Sequence, residues 1–278
     1  PETDMMITDA VVALPHSAPM VILDKVPGVD VDAALASEGV GVLDIRSVYD
    51  LDGVDSAVPN IATLANPALR TADQRPARFI RLEKPVSLPD RLVLDFRNSA
   101  FGATGYMREI LGYAPVEPDG SVRMKVPANV AFQISVLDRE GKRISPVHAN
   151  WLQTRPGEVL SCNGCHVRAA LTPRSHGRTG LFAAAWAGAS SNLFPATDPA
   201  LAPQVGETMA QTRARISCAT PGLARCSSMQ PSVDVVYDDV WTNPPTAGRA
   251  RDLSFAYRYA DLKTLAPTAA ACLTLWSP

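Results

Sequence analysis

The sequence predicts a mainly β protein: an antiparallel β-sandwich with one irregular segment and a few short helices. Of its 278 residues, 46% are hydrophobic and 19% are charged, which is a globular composition. Runs of β-branched and aromatic residues, bounded by Gly, Pro and Asp, recur in the first half of the chain. We expect the sandwich to span about 20–145, with returning strands near 233–262.

The first strands are predicted at 19–28, 39–55 and 77–86. In the third of these, side chains alternate between two faces. One face carries Phe79, Arg81 and Glu83, and the other carries Ile80, Leu82 and Lys84. This period of two is typical of a strand in a sheet.

The clearest strand signal lies in 116–144. Asp119-Gly120 is predicted to turn the chain, and Pro127 to end the strand that follows. Apolar residues then alternate on two successive strands: Val122, Met124 and Val126 on the first, and Phe132, Ile134 and Val136 on the second. The pattern favours two strands that each bury one face.

The character of the sequence changes after residue 150. Residues 162–180 are rich in Gly, Pro, Arg and Ser and show no period, which indicates a loop, whereas 206–216 is a predicted helix. Strand patterns return at 232–241 and 254–262. We therefore divide the chain into a β-rich sandwich domain, 1–147, and a second segment, 148–278, that carries the loop, the helix and the returning strands.

Charge and hydropathy exclude several classes of partner. The net charge is −2, and the 26 basic residues are scattered, so we expect no nucleic acid partner. No apolar run approaches the roughly 20 residues of a membrane span. The chain opens on PETDMM without a basic leader and stops on ACLTLWSP, so we expect a processed form or a piece of a longer chain.

One short motif, CNGCH at 162–166, carries the chemistry. In c-type attachment, two cysteine thiols two residues apart add across the vinyl groups of haem, and the adjacent histidine becomes an axial ligand of the iron. Cys162, Cys165 and His166 match this pattern, and Asn163-Gly164 is a compact filler that permits a turn. The motif predicts one covalent haem c.

Three alternatives remain for the same residues. The first is a structural zinc site, which needs four ligands; His148 or His176 could complete the ligand set begun by the motif. A redox dithiol is usually placed between a strand and a helix, whereas this motif lies in a Pro/Gly/Arg-rich loop. The third alternative is an ordinary disulfide.

Covalent haem attachment takes place outside the bacterial cytoplasm, so we expect a periplasmic or extracellular protein. In an oxidising compartment, Cys218 and Cys226 are predicted to form a local disulfide across a Pro-Gly loop. Cys272 is then either a buried thiol or paired with a cysteine outside this sequence.

The second axial ligand is open from the sequence. His176 is our first choice, because ten residues at roughly 3.3 Å each reach from one haem face to the other. Arg174 and Arg178 are expected to pair with the haem propionates. Met209, in the predicted helix, is the next choice. His16 would need a long excursion, and a surface or hydrogen-bonded role is favoured for His148.

Two stretches, DGSVRMKVPANVAFQISVLDREGKRI at 119–144 and ANWLQTRPGEVLSCNGCHV at 149–167, resemble a known family. They are similar to the haem-carrying middle region of the hydrazine synthase alpha subunit and its bacterial relatives, over roughly 40–170. The resemblance implies a c-type haem at Cys162, Cys165 and His166, on a β-rich scaffold, in an exported protein. In that family the catalytic haem works with a second haem and with a tyrosine shortly after the motif. This sequence has one such motif, and Ala170 stands in the corresponding region.

Three functions follow as hypotheses. The first is an exported c-type cytochrome module with one haem that transfers electrons to a redox protein partner or a neighbouring haem subunit. The second is a haem enzyme with an open iron site, hydrazine synthase-like or peroxidase-like. The third is a structural β-sandwich in which haem or zinc holds a long loop. We expect the electron carrier rather than the enzyme.

Overall fold

The computed structural model describes residues 24–86, 108–146, 148, 150–166, 183–219, 229–231 and 240–241. The predicted mainly β class is confirmed for this part of the chain. The strands predicted near 233–262 lie almost entirely outside the described residues, and the domain boundary at residue 147 remains a prediction.

Eight strands and three α-helices follow one another in the described ranges. They are α1 (Ala33–Glu38), β1 (Val40–Ile45), β2 (Asp50–Leu51), β3 (Val54–Asp55), α2 (Ile61–Leu64), β4 (Phe79–Pro85), β5 (Arg108–Pro115), β6 (Val122–Pro127), β7 (Gln133–Leu137), β8 (Val159–Cys162) and α3 (Met209–Ala219). The predicted helix at 206–216 is thus confirmed as α3. Two 3-10 turns, Ala72–Gln74 and Pro199–Leu201, lie between them.

Two three-stranded sheets form the scaffold. The first sheet has the strand order β6-β1-β8, and the second sheet has the order β5-β4-β7. The strands β2 and β3 form a separate short hairpin. The strands β6 and β7, consecutive in sequence, belong to different sheets, so the chain crosses from one sheet to the other between them. Such a crossing is common where two sheets pack face to face.

One pairing departs from the antiparallel prediction, since β8 runs parallel to β1. The register places Val42 opposite Val159 and Ile45 opposite Cys162. A parallel neighbour needs a long crossover rather than a hairpin, and the chain between β1 and β8 provides one by building the second sheet. A strand of the second sequence segment therefore completes a sheet that the first segment began.

The two sheets share one hydrophobic core, which we call the first core. It includes Leu43 and Ile45 of β1, Ile80 and Leu82 of β4, and Val122, Met124 and Val126 of β6. In β6 the predicted alternation is confirmed, because these last three side chains are buried and those between them are half-buried. The shared core is consistent with the predicted sandwich.

A partly buried ion pair lies within the first sheet. Asp44 of β1 is opposite Arg123 of β6, and the Arg123 guanidinium donates to the Asp44 carboxylate at 2.9 Å. Gln211 of α3 donates to the same carboxylate oxygen at 2.8 Å. A charge near the end of an otherwise apolar strand is thus compensated by two partners.

A second, smaller core lies around α3. It comprises Ala65, Ala189, Phe194, Leu201, Met209, Val240 and Trp241. The rings of Phe194 and Trp241 meet edge to face, with centroids 5.7 Å apart. We refer to it as the second core.

The turn between β5 and β6 links the second core to the sheets. Asp119 is fully buried, and one of its carboxylate oxygens accepts hydrogen bonds from Trp186 Nε1 at 2.9 Å and the Met209 N–H at 2.8 Å. Its other oxygen accepts from the N–H and hydroxyl of Ser121. Burial raises the pKa of the Asp119 carboxyl, and these hydrogen bonds act in the opposite direction.

Glu117, in the same turn, extends the connection. Its carboxylate accepts from Arg213 Nη1 at 2.6 Å and from Trp241 Nε1 at 2.7 Å. Two neighbouring carboxylates of one turn therefore hold the start of α3, its middle, and two tryptophans.

Replacing Asp119 by Asn tests this connection. Each carboxylate oxygen accepts two donors, so an amide nitrogen in either orientation faces two donors that lose their acceptor. We expect a loss of roughly 1–3 kcal/mol in the free energy of unfolding for each of those donors. Chemical denaturation of Asp119→Asn, with the exposed Asp24→Asn as control, measures the difference. Equal stability of the two variants would contradict the role given to Asp119.

Gly120 offers a second test, because two separate constraints apply there. Its φ is +81°, and a Cβ would lie 2.5 Å from both Ser47 Oγ and a ring carbon of Tyr49. Gly39 has a similar φ of +75° but open space around it. We expect Gly39→Ala to cost about 1–2 kcal/mol for the backbone conformation alone, and Gly120→Ala to cost clearly more. Similar melting temperatures for the two variants would show that crowding at Gly120 is unimportant.

Candidate haem-attachment site

The first cysteine of the motif is positioned by the first sheet. Cys162 is the last residue of β8 and lies opposite Ile45 of β1. The Arg46 N–H donates to the Cys162 carbonyl at 2.9 Å, and the Ser47 N–H donates to the Asn163 carbonyl at 3.0 Å. The ladder between the two strands thus continues into the motif and fixes its entry.

Gly164 lies against the chain that follows β1. A Cβ on Gly164 would collide with the Ser47 carbonyl oxygen and would lie 2.5 Å from the Asp50 carbonyl oxygen. Only glycine fits without a shift of the backbone. The sequence interpretation of Asn163-Gly164 as a turn-permissive filler missed this close approach.

Cys165 is held on both sides of its peptide unit. Its N–H donates to the Asp50 carbonyl at 2.8 Å, and its own carbonyl accepts from the Asp52 N–H at 3.1 Å. Its thiol donates to the Val48 carbonyl at 3.5 Å. Burial raises the pKa of the Cys165 thiol, and the nearby charge of Asp50 raises it further.

The state of Cys165 bears on two of the alternatives for the motif, the disulfide and the redox dithiol. Cys165 is a thiol and not half of a disulfide. A reactive redox dithiol needs a lowered thiol pKa, whereas burial raises the pKa of the Cys165 thiol. The structure therefore favours neither the disulfide nor the dithiol.

Asp50 also brings a distant segment to the motif. Its buried carboxylate accepts from the Gly53 N–H and from the Ala185 N–H, each at 2.7 Å. Several partly buried apolar residues then pack against the first core: Leu152, Leu160, Cys162, Ala185 and Trp186.

The histidine of the motif has a second histidine beside it. His166 and His148 are both half-buried, and their ring centroids lie 6.3 Å apart with an angle of 88° between the ring planes. His148 Nδ1 is hydrogen-bonded to the Asn150 carbonyl at 2.5 Å. The favoured sequence interpretation, a surface or hydrogen-bonded histidine, did not bring His148 to the motif. Nothing in its spacing, 18 residues before His166, indicated the proximity.

Other predicted site residues are separate from this arrangement or lie outside the described part of the chain. Met209 is fully buried in the second core. His176, Arg174 and Arg178 fall in 167–182, outside the described residues, so their roles remain predictions. His16, Cys226 and Cys272 also lie outside the described residues, so the predicted Cys218–Cys226 disulfide remains a prediction.

Neither a metal cluster nor a membrane span is found in the described ranges. No three or more His, Cys, Asp or Glu side chains there are grouped as ligands for a metal ion. The zinc alternative therefore has no fourfold ligand set among these residues. None of the helices there combines the length and apolarity needed to cross a bilayer.

Comparison with known proteins gives a family for part of the chain. Residues 91–167 match the family model of the hydrazine synthase alpha subunit middle domain. Among solved structures, Kuenenia stuttgartiensis hydrazine synthase matches at 19% identity and a TM-score of 0.33, over 46% of this chain and 17% of that chain. No curated protein matches.

The two kinds of match have different extents. The family match is shorter than the 40–170 suggested by the motifs, but it includes both cysteines of CNGCH and His166. The matched structure is much longer than this chain, which spans 17% of it. The predicted resemblance is thereby confirmed over residues 91–167, which are similar to the middle domain of the hydrazine synthase alpha subunit.

Proposed function

We propose that this chain is a c-type haem module that carries one covalent haem and transfers electrons. The two thioether positions are Cys162 and Cys165, and His166 is an axial ligand of the iron. The observation that supports this most is the anchoring of the motif, since backbone hydrogen bonds join it to 46–52 at both cysteines. A haem held there would supply one-electron chemistry.

The residues present fit such a group. The raised pKa keeps Cys165 as a thiol, the form whose S–H adds across a vinyl group. That addition breaks the S–H bond and the π bond of the vinyl group, makes one S–C and one C–H bond, and needs no oxidant. Backbone hydrogen bonds at both cysteines limit rearrangement of the motif, and the partly buried Leu160 and Trp186 pack against the first core.

A hydrazine synthase-like enzyme is the second candidate, because the match over 91–167 is to a domain of that enzyme's alpha subunit. Its activity needs an iron with an open coordination position, whereas an electron carrier is best served by six-coordinate iron. The family is named for a subunit, so we propose a neighbouring subunit or a redox protein as partner. Covalent haem also implies export, to the periplasm or the cell exterior.

Covalent attachment is the first outcome to measure. Protein produced with a c-type maturation system should have the mass of the polypeptide plus one haem, and should keep haem-dependent peroxidase staining after denaturation. Cys162→Ala and Cys165→Ala should each weaken attachment, and the double variant should lose it. Cys272→Ala is a matched control that should retain full attachment. A wild-type protein with the bare polypeptide mass under these conditions would refute the haem proposal.

Carbon monoxide distinguishes the two candidates. The reduced electron carrier should resist carbon monoxide, because both axial positions are filled by protein ligands. An enzyme with an open iron site should bind it at once and show the spectrum of the carbonyl complex. Rapid, stoichiometric binding to the wild-type protein would favour the enzyme over the carrier.

A further inference from the structure

We infer that His148 is the second axial ligand of the iron, opposite His166, and that the haem iron is six-coordinate with two histidines. This inference rests on the proposed haem attachment and goes beyond it by naming the residue that supplies the sixth ligand of the iron. It differs from the choice made from sequence, which was His176.

The separation of the two rings supports it. An imidazole–metal bond is about 2.0–2.1 Å long. A ring nitrogen lies roughly 1.1 Å from the centroid of a five-membered aromatic ring, given bonds of about 1.33 Å. Two imidazoles on opposite sides of one metal therefore have centroids about 6.2–6.4 Å apart. The centroids of His148 and His166 are 6.3 Å apart.

The angle between the rings is compatible with the same arrangement. Two axial imidazoles share the line through the metal, and each ring plane can rotate about that line. The angle of 88° is one such rotation. A direct hydrogen bond between the rings is not an alternative, because facing nitrogens at this separation would be roughly 4 Å apart.

The hydrogen bond of His148 leaves Nε2 as the ring nitrogen that could bind the iron. A backbone carbonyl only accepts, so Nδ1 of His148 carries the proton that it donates to Asn150. In the neutral ring, Nε2 then carries the lone pair. A metal-bound histidine commonly donates its other ring nitrogen to a carbonyl or carboxylate in this way, which fixes the tautomer and the orientation of the ring.

The chain next to His148 is fastened to the second sheet. The N–H groups of Leu152 and Phe132 each donate to the carbonyl of the other at 2.8 Å, directly before β7. The guanidinium of Arg108, at the start of β5, lies over the ring of Trp151, 6.0 Å from its centroid. His166, in contrast, is the last residue of the motif, which is hydrogen-bonded to the first sheet and to the chain that follows β1. The two ligands thus approach the iron from different sheets.

Met209 is a poor competitor. Its side chain is fully buried in the second core, and its N–H is bound to Asp119. Its use as a ligand would require the start of α3 to leave both contacts. His176 lies outside the described residues, so the experiment must decide between it and His148.

The test uses the full-length protein with haem attached. The wild type should show a low-spin ferric spectrum without the weak sulfur-to-iron band and should resist carbon monoxide when reduced. His148→Ala should keep the mass of one attached haem but change to a high-spin spectrum and bind carbon monoxide. Added imidazole should restore the low-spin spectrum by filling the vacated position. His176→Ala and His16→Ala are the matched controls, and both should keep the wild-type spectrum.

Three results would overturn the inference while leaving haem attachment intact. They are an unchanged low-spin spectrum in His148→Ala, a change to high spin in His176→Ala instead, and a wild-type protein that is already high-spin. A wild-type mass without haem would refute the proposed function itself. Circular dichroism of the apo-polypeptides checks that His148→Ala folds, and a folded variant whose spectrum responds to imidazole excludes a merely structural effect.

Discussion

The buried carboxylate of Asp119 is the contact on which most of this architecture depends. A charged group without water is costly to bury, and its cost falls only when every acceptor position is used. Asp119 meets that condition with donors from Ser121, Trp186 and Met209. Because these donors come from three separate stretches of chain, the carboxylate fixes where the stretches meet.

The same network reaches the candidate haem site through a few residues. Trp186 binds Asp119 through its ring nitrogen, and its carbonyl accepts a hydrogen bond from Arg46 at 3.1 Å. Arg46 in turn binds the carbonyl of Cys162 through its backbone N–H. The position of the motif is therefore coupled to the packing of α3 as well as to the strand pairing of β1. Stability and site geometry share the same contacts.

Local patterns in the sequence were sufficient for the fold class, the β6 alternation, helix α3 and the CNGCH motif, because each depends on residues close together in the chain. Local patterns could not predict which strands pair with one another. The parallel pairing of β1 with β8 joins residues more than a hundred positions apart, and β6 and β7 read as neighbours although they belong to different sheets. The proximity of His148 to His166 has the same origin, since it arises from how two sheets face each other. Gly164 shows how far sequence reasoning reaches for a single residue. The Asn-Gly pair indicated a turn, but only the positions of the Ser47 and Asp50 carbonyls show why no side chain fits there.

The late arrival of β8 has a consequence for how the chain avoids misassembly. During synthesis, β1 emerges long before its parallel partner, and one of its edges stays unpaired until 159–162 is available. An apolar strand with an open edge is a template for pairing with other chains. Asp44 lies near the end of β1, between Leu43 and Ile45, and its carboxylate pairs with Arg123 only once β6 has docked. Until β6 docks, this unpaired carboxylate opposes edge-to-edge pairing of β1 with other chains, so the residue that forms the ion pair of the finished sheet also protects the strand at its most exposed stage.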